Sequence, residues 1–465
     1  VLVNGKMKLP DYFLADLPGD AQFSSALITE ACLTLKRNRE RFLAGRSTTS
    51  LIDTIAGVAA DWLDPDNPFR RAALDKGPSE TGFSRETLEA GLDALFGSIT
   101  TESLQRLVLQ DLGHLDRLER LTGSETEPGS SRLAIARGPE LLVHITAGRL
   151  PNPPVMSIVL GLLARSAQFV KCASGTSFLL RLFGHSLREV EPKLGACLEI
   201  AEWKGGNETL ESALFAQADC LTAMGDDSTL EAIRPRVPPQ VRFLGYGHRV
   251  SFGYIAREVL DHHFFSKTAA SAAMDVAAWD QLGCLSPHLF YVETGGRHSP
   301  DRFAEQLAFE LDRIEAKQPR GHLPLETAAA IAARRSIYEV RAAFSSDTKI
   351  WKSRDSTSWT VVYENDPQFQ FSCLNRFIYV KAVQNIDHAL RGADPVRGRV
   401  ATVGLAAPGL REQDLAHRLA AWGVPRVCPI GRMQSPPPTW RHDGRPSLGD
   451  LILWTDWERS ERSFL

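Results

Sequence analysis

The sequence predicts an α/β protein organised on a parallel sheet, and three observations carry that prediction. Four strand–turn–helix units follow one another from Leu141 to the helix opening at Leu230, the alternation that builds parallel sheets with helices on their faces. The turn after each strand is rich in Gly, Ser, Asn, Asp or Thr, residues that reverse a chain or start a helix. The composition, 43% hydrophobic and 23% charged over 465 residues, is that of a globular chain long enough for two or three domains.

Residues 1–135 read as mainly helical. Phe23, Leu27, Ile28, Ala31 and Leu35 recur at helical spacing, as do Leu88, Leu92, Leu95 and Phe96. Polar breaks such as Asp64-Pro65-Asp66-Asn67-Pro68 separate the pieces, and the segment is expected to form a layer packed on the α/β part of the chain. The α/β units then begin. Leu141–Ile145 is a buried strand that ends in the stiff loop 146–154, before a helix from Val155 to Ala164. Gln168–Cys172 is a second strand, turned by Ala173-Ser174-Gly175-Thr176-Ser177. Cys197–Trp203 and Cys220–Met224 supply the third and fourth, each followed by its helix. Four units of this kind place a ligand crevice at the C-terminal ends of the strands. Val241–Ser251 reads as a strand interrupted by Gly245 and Gly247, and 301–342 as strongly helical. Trp359–Glu364, Arg376–Val380 and Val400–Leu405 are further strands. The Pro-, Gly- and Arg-rich stretch from Val427 to Trp454 reads as an ordered wrap.

The chemistry centres on Trp279-Asp280-Gln281-Leu282-Gly283-Cys284-Leu285-Ser286-Pro287-His288, between a small-residue helix and a short strand. Gly283 leaves room around the sulfur, and a thiol presented there is a candidate nucleophile; the blander alternative is a buried structural cysteine. The seven cysteines never form a CxxC pair, which disfavours a disulfide scaffold or structural zinc site and fits a reducing cytoplasm. A net charge of −3 gives no support for a nucleic-acid partner. No apolar run is long enough to span a bilayer. GxGxxG is absent. Lys171, at a strand end, and Gly225 with Ser228, at a helix opening, are the candidates to meet a ribose or phosphate; for each, the plain alternative is a solvated strand-end lysine or an ordinary cap. His248 and His288 either lower the thiol pKa or serve as structural hydrogen-bonders.

Taken in order, His144-Ile145-Thr146-Ala147-Gly148, Phe169-Val170-Lys171-Cys172-Ala173-Ser174-Gly175-Thr176, Gly245-Tyr246-Gly247-His248-Arg249 and Asp280-Gln281-Leu282-Gly283-Cys284-Leu285-Ser286-Pro287 resemble the bacterial fatty acyl-CoA reductase family. That family is LuxC-like, supplies aldehyde for bioluminescence, and belongs to the aldehyde dehydrogenase superfamily. The resemblance runs over about residues 135–455 and implies an aldehyde dehydrogenase-like fold. Its expected parts are an N-terminal helical layer (1–135), a Rossmann-type NADPH-binding α/β domain (136–255), a catalytic α/β domain carrying Cys284 (256–425), and a C-terminal wrap or bridging and oligomerisation element (426–465). The implied reaction is NADPH-dependent reduction of an acyl-CoA to the aldehyde through a Cys284 thioester. Also implied are an acyl-activating partner enzyme and a homo-oligomer. The alternatives are oxidation in the CoA-acylating direction and a nucleotide-binding subunit without turnover of its own.

Residue by residue, the resemblance puts Cys284 at the nucleophile and Lys171 beside the adenosine ribose. Ser174 stands where NAD-selective relatives carry a glutamate, so a 2′-phosphate is not repelled. Gly225, with Ser228, opens the phosphate-facing helix, and Glu364 is set against the nicotinamide ribose. The superfamily's water-activating glutamate aligns with Phe243, and without a carboxylate the acyl-enzyme resists hydrolysis. The oxyanion asparagine aligns with Arg149. Either Asn152 fills that role from a shifted loop, or Arg149 does, or the backbone N–H of Cys284 acts alone.

Overall fold

Ser, Thr and Asn side chains set the starts of the N-terminal helices in the computed structural model. It describes all residues except 1, 4, 5, 8, 19, 20, 124–131, 149, 262, 263 and 459–465. Ser24, Ser47, Ser84 and Thr100 each accept a backbone N–H from the first turn of Ser25–Phe42, Thr48–Asp61, Arg85–Gly97 and Thr101–Leu112. Asn67 does the same for Pro68–Thr81. Such caps satisfy N–H groups that the helix itself leaves unbonded.

The strands, in chain order, are β1 (Leu2–Val3), β2 (Lys6–Met7), β3 (Arg132–Arg137), β4 (Leu141–Ile145), β5 (Ala167–Cys172), β6 (Leu198–Glu202), β7 (Cys220–Met224) and β8 (Arg242–Tyr246). They continue as β9 (Val250–Ile255), β10 (Pro287–Glu293), β11 (Thr348–Lys352), β12 (Thr360–Glu364), β13 (Phe377–Val383), β14 (Val400–Ala406), β15 (Val427–Pro429) and β16 (Leu453–Glu458). β4 to β8 form a five-stranded parallel sheet in the order β6-β5-β4-β7-β8. This is a nucleotide-fold order, whose switch point lies between the central strands β4 and β7. A seven-stranded sheet, β11-β12-β13-β10-β9-β14-β15, is parallel except for the antiparallel edge pair β11–β12. β3 and β16 pair antiparallel as a separate ribbon.

The expected strands are thus present, and the Gly245–Gly247 interruption separates β8 in one sheet from β9 in the other. Strands buried on both faces read as continuous apolar runs, which is why β4, β10 and β13 were legible. The expected helical stretch at 301–342 is two helices, Pro300–Glu315 and Leu325–Phe344.

Each sheet is covered on both sides. Ile28, Cys32 and Leu35 of the first N-terminal helix pack with Val143, Phe169 and Leu221 on one face of the five-stranded sheet. The remaining N-terminal helices join Ile158, Leu162, Leu182 and Ile200 on the other face. That second cluster also contains Trp279, so the N-terminal layer reaches the approach to Cys284. Gly91 makes this contact feasible, because a Cβ there would run into the Trp279 indole, which Phe83 meets edge-on at 5.3 Å between ring centroids.

Candidate functional site

Cys284 lies between the helix Phe265–Ala277 and β10, at the end of a strained turn. Trp279, Asp280 and Gln281 all have positive φ, 50°, 50° and 64°, a region that side-chain-bearing residues rarely adopt. Gly283 itself is not left-handed. Its need is steric: a Cβ would lie 2.7 Å from Gln434 Oε1. Ser286 Oγ accepts from Gly283 N at 3.2 Å and from Gln434 Nε2, while Ser251 Oγ donates to the Cys284 carbonyl at 2.8 Å. The loop that brings Gln434 is fastened by Asp275, whose carboxylate accepts Gly431 N at 2.6 Å and Met433 N at 3.0 Å.

The cysteine is not a closed-in structural thiol. It is solvent-exposed and opens on a cavity lined mainly by apolar side chains, among them Leu95, Leu150, Met156, Leu160, Met224, Trp279, Leu285, Trp440 and Leu451. The protein atoms walling the cavity around the sulfur, then the charge of Asp443, push its thiol up to about 11; its own and Leu285's N–H groups and Arg249 pull the other way.

Asn152 reaches the same cavity from the first turn of the helix Asn152–Leu163, and its Oδ1 is buried without a hydrogen-bond partner. Arg149 lies outside the described residues. Phe243 does not meet the cavity; Tyr246, three residues on, does. Alternation along β8 explains the difference. Phe243 faces the cluster formed with Ile233 and Val241, whereas Leu244 and Tyr246 point the opposite way, beside Leu142 and Leu451. Tyr246 is not a carboxylate either, and no Asp or Glu lines the cavity among the described residues.

Sequence reasoning assigned no role to several cavity residues, among them Tyr246, Gln434 and His442. The His442 ring stacks on Tyr246 at 4.4 Å and 19°, and Trp440 follows at 4.7 Å. Tyr246 stands inside the Gly245-Tyr246-Gly247 motif, whereas the only sequence signal for Gln434 and His442 was a cluster of aromatic, proline and basic residues far from Cys284. His144 and Thr222 form a buried polar pair in the cavity wall, with His144 Nδ1 2.7 Å from Thr222 Oγ1 and Nε2 3.0 Å from Gln168 Oε1. Burial pushes the His144 imidazole down to about 4. His288 is held by Ser372 at 3.1 Å and His248 by its backbone to Asp227 at 3.0 Å; neither lines the cavity.

The residues expected at a cofactor lie apart from one another. Lys171, at the end of β5, is buried, and its Nζ sits 5.8 Å from the Trp203 ring centroid with no hydrogen-bond or ion-pair partner among the described residues. Burial lowers its pKa, with Glu211, Cys172 and Glu202 opposing. Ser174 is exposed in the adjoining loop, which Glu202 clamps by accepting Gly175 N at 2.6 Å and Ser177 N at 3.2 Å. The helix after Gly225 already has an anion at its start. Asp226 caps it, taking Thr229 N at 2.7 Å and the Ser228 hydroxyl at 3.0 Å, so a phosphate expected there meets a carboxylate. Glu364 is likewise committed elsewhere: it pairs with buried Lys381 at 2.5 Å and Arg341 at 3.3 Å and does not line the cavity. No group of three or more His, Cys, Asp or Glu among the described residues could hold a metal, and no helix there is long and apolar enough to cross a membrane.

The acyl-CoA reductase (LuxC) family model matches residues 43–454. A long-chain acyl-protein thioester reductase of Aliivibrio fischeri is 23% identical over 474 aligned positions, 99% of this chain and 93% of its own length. Its Vibrio harveyi counterpart is 23% identical over 68% of this chain and 64% of its own length. An NAD-dependent benzaldehyde dehydrogenase of Corynebacterium glutamicum superposes with a TM-score of 0.67 at 15% identity, covering 96% of this chain and 91% of that one. A betaine aldehyde dehydrogenase of Staphylococcus aureus gives 0.68 at 13% identity, over 98% and 92%. The fold is that of the aldehyde dehydrogenases.

Proposed function

The chain belongs to the acyl-CoA reductase (LuxC) family, and from that membership we propose that it reduces a fatty acyl thioester to the aldehyde with Cys284 as nucleophile. It is an aldehyde-forming oxidoreductase by family. The observation that carries the reading of the site is Cys284 opening on an apolar cavity whose described wall holds no carboxylate. An acyl chain fits such a lining, and the absence of a carboxylate base there protects a Cys284 thioester from water.

The donor is an acyl-CoA, with an acyl-activating partner enzyme upstream. The relatives' description as acyl-protein thioester reductases favours such a partner. In either case one thiol replaces another of similar basicity, so the exchange is close to balanced. Asn152 is the oxyanion donor: its Oδ1 is a buried polar atom of the cavity without a hydrogen-bond partner, and turned about its last bond the amide offers an N–H where Oδ1 now lies. The resemblance leaves Arg149 and the Cys284 backbone N–H as the alternative donors.

NADPH is the cofactor. Lys171, buried and unpaired at the sheet's C-terminal edge, suits an anionic group, and Ser174 brings no charge against a 2′-phosphate. The bound nicotinamide supplies hydride; the protein's part is to hold the acyl group on Cys284 and exclude water. Exposed Leu453, Trp454 and Trp457 on β16 support a homo-oligomer, and seven free cysteines suit a reducing cytoplasm.

The test is single turnover with a panel of acyl-CoAs, reading CoA release and then NADPH oxidation, in wild type and Cys284→Ala. CoA release that needs Cys284, followed by aldehyde, is expected. Loss of CoA release with every acyl group in the wild type refutes the reading.

A further inference from the structure

We propose that Gln434 is a positioning residue for Cys284: its side-chain amide, acting through Ser286, holds the turn that aims the sulfur at the acyl carbonyl. The inference rests on Cys284 being the nucleophile and adds to that site a residue from the C-terminal wrap.

Cys284 sits inside a turn, Gly283 to Ser286, that Ser286 closes twice. Ser286 N donates to the Gly283 carbonyl at 2.9 Å, and Gly283 N donates to Ser286 Oγ at 3.2 Å. The Cys284 carbonyl is held separately, by Ser251 Oγ at 2.8 Å. Where the sulfur points therefore depends on where Ser286 is kept. Ser286 is buried, and Gln434 Nε2 donates to its hydroxyl oxygen. The same nitrogen donates to the Ala278 carbonyl at 2.8 Å and reaches the Asp275 carbonyl at 3.4 Å. Both carbonyls belong to the C-terminal end of the helix Phe265–Ala277, where a helix leaves acceptors unbonded. A carbonyl only accepts, so these two contacts fix which end of the amide is nitrogen. Oε1 is left facing Gly283, where no Cβ stands in its way.

The side chain is a strut rather than a tether, because the backbone that carries it is fixed from both sides. Asp275 takes the N–H groups of Gly431 and Met433 at 2.6 and 3.0 Å. Buried Arg426 donates to the carbonyls of Arg432 at 2.8 Å and Met433 at 2.6 Å, and is itself steadied by Thr402 Oγ1 at 3.2 Å. From this clamp the chain runs on as Gln434-Ser435-Pro436-Pro437-Pro438, all of which wall the cavity on which Cys284 opens. Gln434 thus belongs both to the cavity wall and to the line of hydrogen bonds that ends at the cysteine's turn.

Positioning has its own kinetic signature. Thioester exchange needs the sulfur close to the carbonyl carbon and aligned with it, and a misplacement of about 1 Å costs on the order of 100-fold. Occupation of an apolar cavity by an acyl chain makes no such demand, and neither does alkylation by a small reagent that approaches freely. A displaced turn therefore slows acyl transfer while leaving acyl-CoA binding and Cys284 alkylation close to their original values.

The test is single-turnover CoA release by the full chain as a function of acyl-CoA concentration, with iodoacetamide alkylation followed alongside. Wild type, Cys284→Ala, Gln434→Met, Ser286→Ala and the Gln434→Met, Ser286→Ala double variant are compared. Methionine keeps the length of glutamine and removes its hydrogen bonds. Gln434→Met should lower the saturating rate roughly 30-fold and move the half-saturating concentration by less than about threefold. Its Cys284 should alkylate within about threefold of the wild-type rate, while Cys32, Cys172, Cys197 and Cys220, buried in the fold, stay unreactive. Ser286→Ala should lose at least as much rate as Gln434→Met, and the double variant should stay within about threefold of Ser286→Ala, since both changes cut one line of contacts. A Gln434→Met rate within about threefold of wild type, a loss confined to the half-saturating concentration, or losses that multiply in the double variant overturns the proposal. If the buried cysteines of Gln434→Met become reactive, its fold has given way and Ser286→Ala decides: an undiminished rate there overturns the proposal too. CoA release at the wild-type rate by Cys284→Ala would instead overturn the nucleophile itself, so the two failures are told apart.

Discussion

Asp280 and Arg376 are both held in left-handed backbone, at φ 50° and 65°, and face each other through a 3.0 Å hydrogen bond from Nε to Oδ1. Each belongs to a run of three such residues, Trp279 to Gln281 and Leu374 to Arg376. Conformations of this kind cost on the order of 1–3 kcal/mol per residue and persist only where surrounding contacts impose them. Here the contacts are mutual. Arg376 also reaches Glu315 at 2.8 Å, Asp280 takes Gly321 N at 3.0 Å, and Gln281 Nε2 bonds the carbonyls of Pro287 and Phe377. The turn that presents Cys284 is latched to the start of β13 by a buried charge network.

Removing one partner of that network should leave the other charge stranded. Asp280→Ala is expected to lose about 3–5 kcal/mol of unfolding free energy, and Arg376→Ala a similar amount. Urea titration of the two single variants and the double measures this. The double should lose less than the sum, because the pair is a shared interaction.

Asn152→Ala should slow acyl transfer from acyl-CoA by about 100- to 1000-fold. Alkylation of Cys284 by iodoacetamide should be unchanged, since no oxyanion forms in that reaction. If transfer is unaffected, the hole belongs to Arg149 or to the Cys284 backbone N–H.

Ser174→Glu should weaken NADPH binding by roughly tenfold and leave NADH binding nearly unchanged, because the new carboxylate would face the 2′-phosphate. Lys171→Met should weaken NADPH more than NADH. Titration of reduced-nicotinamide fluorescence reads both. Equal losses for the two cofactors would remove the assignment to NADPH.

Alkaline pH should destabilise the fold. Burial pushes the thiols of Cys32, Cys172 and Cys197 up to about 12, and that of Cys428 to about 11. In the unfolded chain a thiol ionises near about 8.5. Above that value the unfolded state releases protons that the native state retains, so stability is whole below about pH 8.5 and declines towards 11–12. Urea midpoints at about pH 7.5 and 10 should fall in that order, and Cys172→Ala should make the decline shallower.

Much of this was legible in the sequence because it is written locally. β4 and β7 were read to their terminal residues, since a doubly buried strand is an apolar run between turn signals. Cys284 stood out by its place between a small-residue helix and a strand. The errors have one-residue or long-range causes. Phe243 and Tyr246 are three apart on β8, and strand alternation alone decides which of them meets the cavity. Asp226 turned an expected phosphate site into a capped helix, a choice between two anions that glycine spacing does not reveal. Gln434 and His442 come from a loop some 150 residues beyond Cys284, and long-range ties such as those from Asp275 to Gly431 and Met433 bring that loop home. Glu364 matched a family position by type, yet Lys381 on the neighbouring strand claims it.

The pairing of β3 with β16 sets an order on how the molecule comes together. Leu453 and its register partner Arg137 are more than 300 residues apart in sequence, and both sheets' strands from β4 to β15 lie between them. Closing so long a loop carries an entropic cost that only prior compaction of the intervening chain reduces. The ribbon should therefore be the last structure to zip, after both sheets have formed. The segment leading into it contains Gln434, Trp440 and His442, so one wall of the Cys284 cavity is built only then. A partly folded chain would carry the thiol without that wall, and acylating competence should appear late in refolding, behind the recovery of helical signal.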